Sequence, residues 1–377
     1  MKKKLSSSLL LINKKFKSDF VQGLRKQTEK SQQVYERESK FAAHNYKSLP
    51  VAIERGKDIY LWDVEGQHYF DFLSSYSSVN QGHCHPKILE TFMEQATKVT
   101  LTSRAFYSIN FGHCTEYMSK LFGYQKILMM NTGVEACETA CKLARKWAYQ
   151  VKKVEPNKAR IAFASNNFWG RSISAISSST DESCRQNFGP FTPGFDIIPY
   201  NDLEVLENYL KSTENVAAFM IEPIQGEAGV VVPKETYLQG VSDLCKKYNV
   251  LYISDEVQTG LSRTGKLLCT DHYNVRPDIV CLGKALSGGM MPISAVLADD
   301  HIMLEIKPGQ HGSTYGGNPL ASKVAIKALE VLVKENMAEN ALAMGEYFRQ
   351  SLRSVLPNNI VTKVRGMGLL NAIIIDK

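Results

Sequence analysis

The chain has 377 residues, 44% hydrophobic and 22% charged, proportions of a folded globular protein rather than of a disordered or fibrous one. No run of about 18 apolar residues occurs, so no membrane-spanning helix is expected. The formal net charge is +7, and residues 1–31 account for it with nine basic residues against two acidic ones; the remainder holds thirty-six of each sign and has no global reason to bind nucleic acid.

The first stretch, MKKKLSSSLLLINKKFKSDFVQGLRKQ, is basic, Ser-bearing and poor in acids. That composition suits an organelle-targeting leader over residues 1–31, here mitochondrial, although Lys rather than Arg supplies the charge. A disordered basic tail on a cytoplasmic protein is the alternative. Next, DIYLWDVEGQHYFDF (Asp58–Phe72) reads as two strands about the turn Glu65-Gly66. The middle of the chain then alternates apolar strands with helical patterns. Strands are expected at Lys126–Met130, Arg160–Ala164, Val216–Ile221, Val250–Ser254, Asp278–Leu282 and Ser294–Ala298, with helices such as Val134–Gln150 and Glu235–Tyr248 between them. Apolar strands separated by helices imply an α/β fold with a mostly parallel sheet covered on both faces. After Asn318-Pro319 two helices follow, over 320–334 and 338–356, and then two strand-like runs. The expected organisation is an N-terminal segment over 32–75, a large domain over 76–319 and part of a smaller α/β domain over 320–377. Eight cysteines are present without a C-x-x-C pair, so reduced buried thiols are expected and no metal site.

Ligands of open α/β sheets gather beyond the carboxyl ends of strands. Three chemistries fall there. Asn131-Thr132-Gly133-Val134 ends a strand and opens a helix, where unpaired amides favour a phosphate; an ordinary cap by Thr132 and Glu135 explains the same residues. Asp255 ends a second strand and could pair with a cationic ring nitrogen, or cap a helix. Lys284 ends a third among glycines, in DIVCLGKALSGGMMP, and a desolvated amine there could form a Schiff base with an aldehyde. Gly260–Lys266 fits G-x-x-x-x-G-K, but Leu267 stands where a nucleotide loop needs Ser or Thr, so it reads as a coincidental loop.

Together NTGVEA, NFWGR, EPIQGEAG, SDEVQTGLSRTG, LGKALSGG and HGSTYGGNP resemble the fold-type I pyridoxal 5'-phosphate aminotransferases that act on terminal amino groups. The likeness runs in order from about Tyr35 to the last residue. HNYKSLPVAIERGKDIYLWDVEGQHYFDFLSSYSSVNQGHCHP and LTSRAFY resemble the members whose donor is ornithine. The resemblance implies that Lys284 holds the cofactor and Asp255 pairs with its ring nitrogen. Gln258 would approach the ring hydroxyl, Gly133 and Val134 the phosphate, and Phe168 the ring face. Thr314 would reach the phosphate of a second subunit, making the protein a homodimer or larger homo-oligomer. Tyr46, Tyr76, Arg171 and Glu227 would bind substrate: Arg171 the α-carboxylate, Tyr46 the α-amino group, Tyr76 the cavity wall, and Glu227 as a latch on an arginine. The implied reaction moves the δ-amino group of ornithine to 2-oxoglutarate. Acetylornithine or 4-aminobutyrate as donor, or a non-catalytic dimerising protein, are the alternatives. The family pattern continues beyond VRGMGLLNAIII and there supplies the arginine latched by Glu227, for which no candidate occurs here; the chain as written is expected to bind cofactor, to transaminate poorly, and to expose apolar surface at Leu369–Ile375.

Overall fold

The computed structural model describes residues 28–357 and 359–375; the leader expected over residues 1–31 lies, up to residue 27, outside the described residues. The chain divides into two units, Met1–Phe72 and Leu73–Lys377.

In the first unit a helix, α1 (Glu29–Phe41), precedes an antiparallel sheet of β1 (Ile53–Lys57), β2 (Tyr60–Asp63) and β3 (His68–Phe70). The turn at Glu65-Gly66 is set by Asp63, whose Oδ1 accepts the amides of Glu65 and Gln67 at 3.1 and 2.8 Å. Ser31 of α1 donates to both Glu65 oxygens, at 2.8 and 2.9 Å, which ties the helix to that turn. The two strands expected between Asp58 and Phe72 are β2 and β3. β1 is an addition to them: IERGK is almost wholly exposed and carries no apolar alternation to announce it.

The second unit is built on a seven-stranded sheet in the order β4-β10-β9-β8-β7-β5-β6. Its strands are β4 (Lys126–Met130), β5 (Arg160–Ala164), β6 (Phe195–Ile198), β7 (Val216–Ile221), β8 (Leu251–Asp255), β9 (Ile279–Leu282) and β10 (Ser294–Ala298). β10 runs antiparallel to both β4 and β9; the other pairings are parallel. Every residue of β7, β8 and β9 is buried, as strands covered on both faces must be.

Helices α2 (Pro86–Ala96), α3 (Ile109–Phe122), α4 (Gly133–Gln150), α5 (Leu203–Ser212), α6 (Tyr237–Lys247) and α7 (Pro319–Lys334) surround this sheet. α4 lies along one face, where its small residues Ala136, Cys137, Ala140 and Ala144 allow close contact with Ile161, Met220, Ile253 and Cys281. On the other face α5 and α6 bury Leu206, Leu238 and Val241 against Ala162, Phe219 and Tyr252. Beside them α3 and α7 cover Val280, Leu282 and Leu297. Side chains thus alternate between faces even where no polar residue marks the period: Ile161 and Phe163 meet α4, whereas Ala162 and Ala164 meet α5 and α6. The last helix, α8 (Met337–Val355), packs on the hairpin of β11 (Val361–Met367) and β12 (Leu370–Ile375), which leaves Ile373 and Ile375 exposed.

Candidate active site

The topology delivers the carboxyl ends of β4, β5, β7, β8 and β9 to one rim. Around it lies a cavity of about 230 Å³ lined by Gly133, Val134, Phe168, Trp169, Gly170, Glu222, Glu227, Asp255, Val257, Gln258 and Lys284. Seven of the sequence-predicted site residues therefore meet in one place. The two acids and the lysine in the middle of the rim come from β7, β8 and β9, three neighbouring strands.

The start of α4 is an ordinary cap, and the cap leaves room for the other reading. Thr132 Oγ1 accepts the amide of Glu135, and Glu135 Oε2 accepts the amide of Thr132 at 2.7 Å, a reciprocal capping box. Those bonds use the amides at 132 and 135. The amides of Gly133 and Val134 remain for a guest at the positive end of the helix. Close packing explains the glycine: a Cβ at Gly133 would stand 2.9 Å from Val257 Cγ1. Gly170 is likewise required, with φ of +144° and only 2.4 Å between the position a Cβ would take and Val134 Cγ2.

Asp255 is buried at the end of β8. Its Oδ1 accepts the amide of Val257 at 3.0 Å and its Oδ2 the thiol of Cys137 at 3.4 Å. Burial raises its pKa, against those two donors and the positive charge of Lys284. Lys284 follows β9 and opens a single 3-10 turn, Lys284–Ser287, at φ of 42°. Left-handed backbone is costly for a residue with a side chain and collects at functional sites.

Glu222 joins the site from the end of β7, a strand end that the sequence pattern marks without giving the residue a role. Its Oε1 accepts the amide of Phe168 at 2.9 Å and its Oε2 the amide of Gly226 at 3.2 Å. Burial, then the neighbouring Asp255 charge, push its pKa up to about 8. Gln258 Nε2 donates to Glu227 Oε1 at 3.3 Å, linking the β8 loop to the β7 loop. Burial makes the Asp255 charge costly, and a protonated ring nitrogen beside it would offset that cost. A cavity with an aromatic side, an amine, a buried acid and two free amides at one end fits pyridoxal 5'-phosphate.

The remaining predicted residues lie outside that cavity lining. Arg171 is exposed; its guanidinium sits 5.6 Å from the Phe168 ring centroid and donates to Cys184 Sγ at 3.0 Å. Tyr76, at φ of 56° and 53% exposed, adjoins Ser75, Ser78 and Val79 of a second cavity that shares Gly133 and Lys284 with the first. Thr314 is exposed on a loop docked through Ser313, whose Oγ accepts from Asn131 Nδ2 at 2.8 Å. Tyr46 belongs to the first unit and is 76% exposed.

Known proteins resemble this chain in sequence and in fold. Residues 41–377 match the family model described as aminotransferase class-III. The chain is 64% identical over 345 residues to a curated relative from Rattus norvegicus, "Ornithine aminotransferase, mitochondrial", covering 92% of this chain and 78% of that one. The crystal structure of the ornithine aminotransferase from Toxoplasma gondii superposes with a TM-score of 0.91 at 49% identity, over 95% of this chain and 84% of that one. That of an acetylornithine aminotransferase from Elizabethkingia anophelis gives 0.84 at 52% identity, over 92% and 85%. A cavity built from a strand-end lysine, a buried strand-end aspartate and a capped helix start, together with these matches, has one reading: the chain belongs to the class-III aminotransferases, enzymes that work with pyridoxal 5'-phosphate.

Proposed function

We propose that this protein moves the δ-amino group of L-ornithine to 2-oxoglutarate, giving glutamate and glutamate 5-semialdehyde, which closes to pyrroline-5-carboxylate. The observation that carries the reading is the convergence of Lys284, Asp255 and the free amides of Gly133 and Val134 on one cavity. When bound, pyridoxal 5'-phosphate supplies an aldehyde that takes up the donor nitrogen and a ring that accepts the electron pair left when a proton departs. The protein does the rest. Gly133 and Val134 hold the phosphate through their amides, and Thr314 of a second copy adds a hydroxyl. The Phe168 ring packs on one face. Asp255, kept dry, retains a proton on the ring nitrogen, and Gln258 donates toward the ring hydroxyl. Lys284 would hold the cofactor, and its amine, when free, would carry the proton leaving the δ-carbon, as base and then acid.

Arg171 binds the α-carboxylate, for which a guanidinium fork is suited. Tyr46, assigned from the resemblance, engages the α-amino group so that the distal amine reacts, and Tyr76 walls the cavity. Glu227 lines the same cavity beside Gln258, where the resemblance gives it the part of a latch. A homodimer is part of this reading, because the resemblance assigns Thr314 to the phosphate of a second subunit, and a mitochondrial matrix location is supported by the basic leader and by the name of the rat relative.

The test is direct. Borohydride reduction of the cofactor-loaded protein, followed by peptide mapping, is expected to label Lys284; a label elsewhere overturns the site. Ornithine is then expected to bleach the visible band of the bound cofactor, with N-acetylornithine far slower. A second reading, N-acetylornithine as the donor, is favoured by the similarity to the Elizabethkingia structure and would give the reverse order.

A further inference from the structure

Asp255 has two oxygens and each is held by a different element. Val257, two residues on, holds Oδ1 through its amide at 3.0 Å. Oδ2 is met from across the sheet face by the thiol of Cys137, on α4, at 3.4 Å, a distance suited to sulfur. Cys137 is fully buried. It sits four residues into the helix whose first amides, Gly133 and Val134, line the cavity, about 6 Å along the axis. The neighbouring thiol does not compete for the carboxylate: Cys281, the register partner of Asp255, has its sulfur 3.8 Å from the carbonyl oxygen of Ala136.

We propose that Cys137 is a positioning residue for Asp255: its thiol fixes the plane of the carboxylate, so that one rigid helix sets the separation between the anion seat at its mouth and the acid that meets the ring nitrogen. This rests on the reading of the site given above. With one donor on each oxygen the carboxylate cannot turn about its last bond without losing one of them, and Asp255 lines the cavity. Burial first, then the neighbouring Cys281 thiol and the Asp255 charge, push the Cys137 pKa well up, so the thiol keeps the proton it donates. A thiol is also a weak donor. It orients Asp255 while leaving its affinity for a ring proton nearly intact.

Infrared spectra of the apoprotein test the bond itself. The wild-type minus Cys137→Ala difference spectrum is expected to show an S–H stretch displaced from that of thiols in apolar surroundings, and Asp255→Ala is expected to return that band to the unbonded position. A difference band at the unbonded position, or one that Asp255→Ala leaves unmoved, overturns the proposal. Kinetics test its consequence. Cys137→Val fills the space without a donor and is expected to lower kcat about tenfold at unchanged KM for the donor amine, as Cys137→Ala does. Cys137→Ser keeps a donor and is expected to stay close to wild type. Valine as active as cysteine, or serine as slow as alanine, means that the side chain only fills space, which sinks the idea. If alanine fails to fold, the serine and valine pair carries both measurements. Should wild-type protein fail to form a borohydride-stable link at Lys284, it is the functional reading that falls, and the infrared result still stands or fails by itself.

Discussion

At Glu222 one carboxyl group is shared between two loops. It leaves the end of β7, in the middle of the rim, and accepts Phe168 N from the β5 loop and Gly226 N from its own. Glutamine at that position keeps one acceptor and turns a donor toward the other amide. Glu222→Gln is therefore expected to speed hydrogen exchange at one of these two amides, and Glu222→Ala at both, while amides inside β5 and β7 keep their protection; equal exchange in all three proteins would refute a shared anchor. Weaker cofactor retention should accompany the change, since Phe168 lines the cavity and Gly226 precedes Glu227, which lines it too. This residue also marks the limit of what a sequence shows. Lys284 and Asp255 are legible because each ends an apolar run, the one followed by glycines and the other by a loop. Glu222 ends such a run too, but its partners are backbone amides, which carry no letter. The tie between Cys137 and Asp255 spans 118 positions, and nothing local to either residue announces it.

Elements built on unbroken apolar runs are the easiest to read. β4, β5, β7 and β10 fall where the apolar runs place them, and β8 and β9 are displaced by only one residue. β6 (FDII) is not legible because it is short and lies at the sheet edge, where Asp196, turned to Arg160, interrupts its apolar run. The direction of β10 is equally hidden: a run buried on both faces looks the same parallel or antiparallel, and a neighbour on each side decides. The α4 start gives away its composition but not its double use, which depends on which amides the capping box consumes. The loop after β5 rests on this helix through Gly170, and that contact can be tested. Gly170→Ala puts a methyl into Val134 and forces a left-handed backbone on a chiral residue. Its expected outcome is at least about a tenfold loss of cofactor affinity, measured by absorbance titration, with far-ultraviolet circular dichroism unchanged.

On the scale of the molecule, the second unit encloses acids that resist ionisation. Burial pushes Glu222 up to about 8 and Glu256 up to about 7. Glu256 accepts from Cys269 N, Thr270 N, Thr270 Oγ1 and Thr259 Oγ1, and lines no part of the cavity described above. Because the folded chain holds these protons more tightly than the unfolded chain, the stability they contribute is complete below about pH 4.5 and is lost as the pH rises through their folded values. Glu207 acts in the opposite sense: its bond with Lys247 lowers its pKa to about 2, so its contribution is lost only on acidification. Thermal melts of the apoprotein should thus fall from about pH 5 to about pH 8, and Glu256→Gln, which cannot ionise, should flatten that slope even if it lowers the midpoint overall. An unchanged slope would mean that Glu256 titrates as it does in water.

The reciprocal bonds between Thr132 and Glu135 have a further effect. A helix that relied on its guest to neutralise its first amides would fray whenever the guest left. Here the protein closes its own end with two internal bonds and leaves the amides of Gly133 and Val134 outside them. On the reading proposed above, loss and return of the coenzyme amount to exchange at a standing receptacle, with no refolding step to slow reloading.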